Sequence, residues 1–167
     1  MRFAAPVNPP ILTAWPQNNV LPIMIRLTVI EALTLAEQAD CYAIRTEVFC
    51  HEQKVSRDLE FDGLDGDSRH YLARHGDQPV GTGRVRPLDG NVVKFERIAV
   101  GIAHRGQDIG WAIMDRAIAD AIAGGAAAGK LNAQVSAGGF YEKLGFVRYG
   151  DKFMEAGIEH IAMVRHF

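Results

Sequence analysis

A mixed α/β layer fold is what the sequence predicts, from three observations. Short segments of period-two alternation crowd the middle of the chain, separated by Gly-Asp and Asp-Gly-Asn turns. The stretch 109–123 repeats its apolar residues at helical spacing. Strand and helix signals follow the order β-α-β-β-β-α-β-α-β-β, which suits a sheet layered with helices.

Residues 25–30 read as the first strand. Thr34 and Glu37 fit a capping box, in which each side chain satisfies the other's backbone N–H. A helix is expected to about Phe49, with Leu35, Ala39, Tyr42, Thr46 and Phe49 along one face. Residues 50–67 read as a polar, acidic connection. Strands at 70–75, 80–86 and 92–100 make an antiparallel meander, turned at Gly76-Asp77 and at Asp89-Gly90-Asn91, where positive φ is wanted. The long helix at 109–123 should bury Ile113, Met114, Ala117, Ile118, Ala121 and Ile122, leaving Asp115, Arg116 and Asp120 outside. Gly124-Gly125 and Gly129 are expected to end it. A strand at 131–135, a helix at 137–144 and a hairpin of 146–149 with 158–167 complete the chain.

The chain has 167 residues with 18 basic and 20 acidic side chains, a net charge of −2. One domain fits this length. The balance argues against nucleic-acid binding, which needs a basic excess. No apolar run is long enough to cross a membrane. Five of the seven prolines fall in the first 22 residues, and no acid precedes Glu31. Residues 1–23 therefore read as a poorly ordered arm carrying no chemistry, and residues 24–167 as the single domain. Those prolines interrupt any export signal, which makes the cytoplasm the expected location. Cys41 and Cys50, about 13 Å apart on one helix, are too far apart for a disulfide and read as reduced, mostly buried thiols.

Two motifs carry chemistry. His104-Arg105-Gly106-Gln107-Asp108-Ile109-Gly110 opens a helix after a strand. Backbone N–H groups there suit a pyrophosphate, helped by the helix dipole. It is neither a P-loop nor a Rossmann fingerprint, since no Gly-Lys-Ser/Thr follows and the preceding strands are hairpin-linked. The second motif, Phe140-Tyr141-Glu142-Lys143-Leu144-Gly145-Phe146, places a tyrosine on a short helix that turns straight into a strand.

Together, and in this order, these motifs resemble the GNAT superfamily of acetyl-CoA-dependent N-acetyltransferases. That family carries a Gln/Arg-x-x-Gly-x-Gly/Ala loop, whose ends match Arg105 and Gly110. Glu96-Arg97-Ile98-Ala99-Val100 and Leu131-Asn132-Ala133-Gln134 match its flanking strands. A small bacterial single-domain branch is recognisable from Ile44-Arg45 to Glu52-Gln53-Lys54-Val55. The resemblance covers about residues 25–167. It implies a mostly antiparallel twisted sheet of six to seven strands flanked by about four helices.

It also implies acetyl-CoA as co-substrate and direct attack by a small-molecule amine. Tyr141 is then the general acid and Glu96 a base acting through water. Ile98, Ala99, Val100, Asn132 and the loop residues Arg105, Gly106, Gln107, Asp108, Ile109 and Gly110 form the cofactor site. Asp108 departs from the pattern, standing where the family usually has glycine; its carboxylate is expected to face solvent or cap the helix. Period-two alternation puts Glu96, Ile98 and Val100 on one face.

The segment between the first helix and the next strand helps form the acceptor site in this family. Arg45, Glu60, Asp62 and Arg84 are thus expected near the acceptor, where carboxylates would favour a cationic amine. The same residues, with Phe49 and Asp65, also resemble acyl-homoserine-lactone synthases, which typically lack the loop and Phe-Tyr signals. A non-catalytic CoA-binding module is the other alternative. The acidic stretch 59–67 fails the EF-hand spacing, and no His-x-x-x-His pair or Cys/His cluster is present, so no metal is expected. His51 and His70 lie near the expected acceptor side, where either could act as a base. A homodimer through an exposed strand edge is compatible with this fold.

Overall fold

The structure, a computed structural model, describes residues 26–167. The reading of residues 1–23 as an arm lies outside the described residues. The elements are β1 (Leu27–Glu31), α1 (Leu35–Arg45) with a π-helical extension (Thr46–Glu52), α2 (Arg57–Glu60), β2 (Arg69–His75), β3 (Gln78–Leu88), β4 (Val92–Val100), α3 (Ile109–Ala123), β5 (Ala128–Gln134), α4 (Gly138–Lys143), β6 (Val147–Glu155) and β7 (Ile158–His166). The strands form one seven-stranded sheet in the order β1-β2-β3-β4-β5-β7-β6. Every neighbouring pair is antiparallel except β4 with β5, which the α3 crossover makes parallel.

α1 and α3 cover opposite faces. The expected capping box starts α1: Glu37 N–H donates to Thr34 Oγ1 at 3.2 Å, and Thr34 N–H to Glu37 Oε2 at 2.9 Å. The helix does not bury the expected stripe. Leu35 is 86% exposed, whereas Cys41, Arg45 and Val48 are buried. Cys41 sets this face, packing with Ala32 and Leu72 and donating its thiol to Tyr71 O at 3.6 Å. Both cysteines are free, Cys41 buried and Cys50 half-buried. The connection at 50–67 is not featureless: it holds the end of the π-helical extension, α2 and a 3-10 turn at Asp65–Asp67.

On the other face, α3 buries Ile109, Ile113, Met114, Ala117, Ile118 and Ala121 against Tyr71, Phe95, Leu131, Phe146 and Met163. Ile122, expected inside, is 47% exposed, because the stripe begins one turn earlier at Ile109. Asp120, expected outside, instead accepts hydrogen bonds from Arg69 and from the Tyr71 hydroxyl. Gly129 does not end the helix. It lies inside β5, where the Phe95 ring occupies the space a Cβ would need. The exposed edge strand β6 runs on past Tyr149, because Gly150 (φ 70°) lets it bulge and continue to Glu155.

Two irregularities in β4 shape the rest. Thr82 pairs with Ala99 but Arg84 pairs with Glu96, so β4 holds one residue more than β3 across that span. The bulge sits at Arg97, whose φ is 56°. It breaks the expected alternation. Glu96 points to the α1 side, bonded to Arg84, whereas Ile98 and Val100 point to α3, against Ile113 and Gly110. The second irregularity is that β4 pairs with β5 only from Val92 to Lys94. Beyond Lys94 the two strands part.

α3 lies close because β3 offers Gly81 and Gly83 beneath it. A Cβ on Gly83 would meet Ile98 at 2.8 Å and Ile113 at 2.9 Å. Gly83→Ala is expected to cost about 1–3 kcal/mol through overpacking, measured as a lower urea midpoint. An unchanged midpoint would show that α3 shifts freely.

Candidate active site

The wedge between β4 and β5 opens into a cleft of about 270 Å³. Its walls include Phe49 and Gln53 from the π-helical extension, Val55, Glu60 from α2, Lys94, Glu96, Arg97 and Ile98 from β4, Asn132 and Gln134 from β5, Tyr141 from α4, and Glu155 and His160 from the β6–β7 hairpin. Of the expected site residues, Tyr141, Glu96, Ile98, Asn132 and Glu60 meet there. Arg45, Arg84 and Asp62 are not among the lining residues, and neither are His51 and His70.

Tyr141 reaches the cleft from the α3 face. Its ring packs edge-on against Phe140 (4.9 Å) and Phe146 (6.3 Å). Burial, with no hydrogen bond to offset it, pushes the hydroxyl up to about 12. The phenol therefore stays protonated at neutral pH and is available as a donor.

Next to the cleft, Gly101 to Asp108 lead into α3. Gly106 (φ 75°) and Asp108 (φ 56°) both take left-handed backbone. Asp108 is exposed and makes no side-chain cap, so of its two expected placements it takes the solvent-facing one. The first bond of the helix runs from Ala112 N–H to Asp108 O. The N–H groups of Ile109, Gly110 and Trp111 are thus left for an external acceptor. Arg105 does not point freely at such a ligand. Its Nε donates to Val100 O at 3.1 Å, and its two other nitrogens grip Glu52 at 2.8 and 2.6 Å.

The residues expected around the acceptor form a buried ion-pair network instead. Arg45 and Arg84 are fully buried. Arg45 donates to Glu60 and Asp65, each at 2.6 Å. Arg84 donates to Asp62 (2.7 Å), Asp65 (2.9 Å) and Glu96 (2.8 Å). Arg97 holds Glu60 and Asp62, while Arg86 and Lys94 hold Glu96. Five cations therefore balance the carboxylates of Glu60, Asp62, Asp65 and Glu96. This corrects the expectation of an open acidic field that favours a cationic amine.

The network also weakens Glu96 as a base. Burial pushes its carboxyl up, but hydrogen bonds from Arg86 and Lys94 and the charge of Arg84 prevail and hold it at about 2. Hydrogen bonding from Arg84 overcomes burial to keep Asp62 well below the usual carboxylate range. In Asp65 burial is likewise outweighed by Arg45 and Arg84, again downward. Burial pushes Glu60 up against the pull of Arg45 and Arg97. Asn132, expected at the cofactor, donates to Glu155 at 2.9 Å. His70 is buried with Nε2 on Asp65 O at 3.0 Å, and burial lowers its pKa. His51 is exposed beside Glu47 at 3.0 Å. Sequence reasoning gave no site role to Lys94, Arg97, Gln53 or His160. Gln134 it saw only as part of a strand motif.

Among the described residues, no group of three or more His, Cys, Asp or Glu is arranged to hold a metal ion. No helix among them is long and apolar enough to cross a membrane.

This sheet, parted beside a helix N-terminus with a tyrosine at the parting, belongs to a chain that matches the acetyltransferase (GNAT) domain family. The model of that family matches residues 32–167, and the chain belongs to it. Among curated relatives it is similar to the uncharacterized N-acetyltransferase YjcF of Bacillus subtilis strain 168, at 41% identity over 75% of this chain and 90% of the relative. The protein ElaA of Escherichia coli K12 is 31% identical over 73% of this chain and 82% of its own. Among solved structures, an acyl-CoA N-acyltransferase from Pseudomonas aeruginosa is 33% identical with TM-score 0.74, covering 84% of this chain and 98% of that one. A Bacillus subtilis acetyltransferase in complex with CoA shares the fold at 17% identity and TM-score 0.65, over 85% of this chain and 99% of that one.

Two stability predictions follow from the network. Arg45→Met leaves Glu60 and Asp65 short of their donor and is expected to cost about 3–5 kcal/mol, read by urea unfolding at pH 7. Separately, Asp62, Asp65 and Glu96 have depressed folded pKa values. Their stabilisation is full above their ordinary values of 3.8, 3.8 and 4.5 and is lost as pH falls toward the folded values. His70, also depressed, adds stability above its ordinary 6.5 that is lost below it. The urea midpoint should decline from about pH 6.5 and steepen below about pH 4.5; a flat profile between pH 7 and 3 contradicts this.

Proposed function

We propose that this protein transfers the acetyl group of acetyl-CoA to the amine of a small molecule. The observation that carries the reading is the parting of β4 and β5 beside the start of α3. Past Lys94, β4 has no strand on its β5 side among the described residues, so an extended pantetheine arm can lie along Ile98–Val100 as an added strand. The N–H groups of Ile109, Gly110 and Trp111 suit the pyrophosphate. A fold neighbour solved in complex with CoA supports CoA as the ligand.

The bound thioester supplies an activated acyl group. This chain's residues orient and protonate around it. Tyr141, held near 12 by burial, sits well above a thiol's ordinary 8.5 or so. It therefore serves first as a hydrogen-bond donor that steadies the thiolate as the carbon–sulfur bond breaks. Glu96 anchors Arg84, Arg86 and Lys94 and shapes the acceptor wall. The cleft of about 270 Å³ lies just below the roughly 300–1,000 Å³ typical of small-molecule sites, which supports a small acceptor. Its ionic groups are already paired, so the acceptor needs no second positive charge.

Tyr141→Phe is expected to lower turnover roughly 10²- to 10⁴-fold while calorimetry shows acetyl-CoA binding nearly unchanged. The assay is thiol release across a panel of small amines. Wild-type protein that binds acetyl-CoA and releases no thiol with any amine would establish a binding module instead.

A further inference from the structure

We propose that His160 is the general base of the acyl transfer, taking the N–H proton of the attacking amine on Nε2 from the face of the sheet opposite Tyr141. The proposal rests on the acetyl-transfer reading above and assigns the group that reading lacks.

His160 pairs directly with Gln134 across β5–β7, so the two side chains share a face, together with Asn132. Leu131, Ala133, Ile161 and Met163 alternate with them and enter the core beneath α3. Tyr141 packs into that same core through Phe146. His160 and Tyr141 therefore approach one cleft from opposite faces. A base on the acceptor side and a donor on the thiol side is what direct displacement requires.

The His160 ring has one nitrogen committed and one open. Nδ1 lies 2.8 Å from Ile158 O. A carbonyl can only accept, so Nδ1 carries a hydrogen, and in the neutral ring Nε2 presents the lone pair. Among the described residues Nε2 has no hydrogen-bond partner, and it is not sealed from solvent. The ring is held by stacking on Phe153, centroids 6.0 Å apart and planes at 25°. It is only 9% exposed.

The titratable and charged groups around the cleft are Glu155 on β6, Lys94, Glu96 and Arg97 on β4, Glu60 on α2 and Tyr141 on α4. Glu159, beside His160 on β7, is tied to Lys152 at 3.0 Å. Each carboxylate already has a donor: Glu155 from Asn132, Glu60 from Arg45 and Arg97, Glu96 from Arg84, Arg86 and Lys94. Glu96, held at about 2, is a weak base. Glu155 keeps one oxygen free but is exposed on the edge strand, so among these groups the imidazole is the one sheltered base with an open lone pair.

The step balances. As the amine nitrogen bonds to the thioester carbon, one N–H proton passes to Nε2, and the carbon–sulfur pair leaves on sulfur beside the Tyr141 hydroxyl. The imidazolium returns its proton to solvent, and the thiolate takes one up.

The test uses His160→Asn and His160→Gln. The Asn amide can keep the bond to Ile158 O, which guards the local fold; a thermal melt confirms it. Both variants should lose roughly 10²- to 10⁴-fold in kcat, keep acetyl-CoA affinity by calorimetry, and lose the acidic limb of the wild-type pH profile. Nitrogen-15 spectra of the free protein should show, for the neutral form of the ring, a protonated Nδ1 and a bare Nε2, a readout independent of turnover. A neutral ring protonated on Nε2 overturns the proposal. So does wild-type turnover and pH profile in folded His160→Gln, which leaves the acetyl-transfer reading intact. Wild-type protein silent with every amine overturns that reading, and the base with it.

Discussion

β4 has to serve two partners unequally. It is paired along its length with β3, yet it touches β5 for only three residues. Every part of the site depends on that mismatch. If β5 followed β4 to its end, no wedge would open, Tyr141 would face a closed ladder, and the start of α3 would cap nothing. The crossover through α3 fixes the separation, because the helix rests on Gly81 and Gly83 of β3 while its far end returns the chain to Ala128. The bulge at Arg97 then decides which β4 side chains see which half of the cleft. Ile98 and Val100 go to the α3 face and make an apolar track. Glu96 and Arg97 go to the other and join the acceptor wall.

A parted strand leaves backbone polar groups without a ladder, and such an edge invites collapse or mispairing. The buried ion-pair network holds the acceptor side open against it. Arg45 ties α1 to α2 and the 3-10 turn, and Arg84 ties that turn to β3 and β4. These pairs are not a source of large net stability, since desolvation offsets much of their attraction. Their value is geometric. Each bidentate guanidinium fixes the angle of two carboxylates, so the α2 segment has one way to sit over the cleft.

The regular elements were legible because their signals are local. The β4 and α3 spans emerge from the sequence residue for residue, since a run rich in β-branched and aromatic residues bounded by turn glycines and four helical turns are local signals. The tyrosine, the helix-opening loop and the turn glycines were legible for the same reason. The acidic stretch was misread because its partners lie elsewhere. Arg84 and Arg97 are separated from Asp62 by 22 and 35 positions, and no local pattern shows whether a carboxylate faces solvent or a guanidinium. The face of Glu96 was misread because a bulge leaves no reliable mark when the residue in left-handed backbone is an arginine. His160 carries no motif: it is one polar position in an alternating strand, and only its pairing with Gln134 brings it to the cleft.

Asp108 shows how a departure from a pattern can keep its physics. The loop needs left-handed backbone at two positions to turn successive N–H groups the same way, an arrangement that forms anion-binding concavities. Glycine supplies one at Gly106. At the second, aspartate adopts φ 56° and ψ 14°, a region it tolerates better than most side chains because its short polar group bonds locally or to water. The side chain is exposed and makes no cap, so its charge stands in solvent, screened over about 8–10 Å at ordinary salt. On the proposed reading, a phosphate would meet the backbone N–H groups at the helix start without such screening. The loop therefore keeps its attraction for a phosphate through geometry, and the carboxylate subtracts only a screened, outward-facing charge.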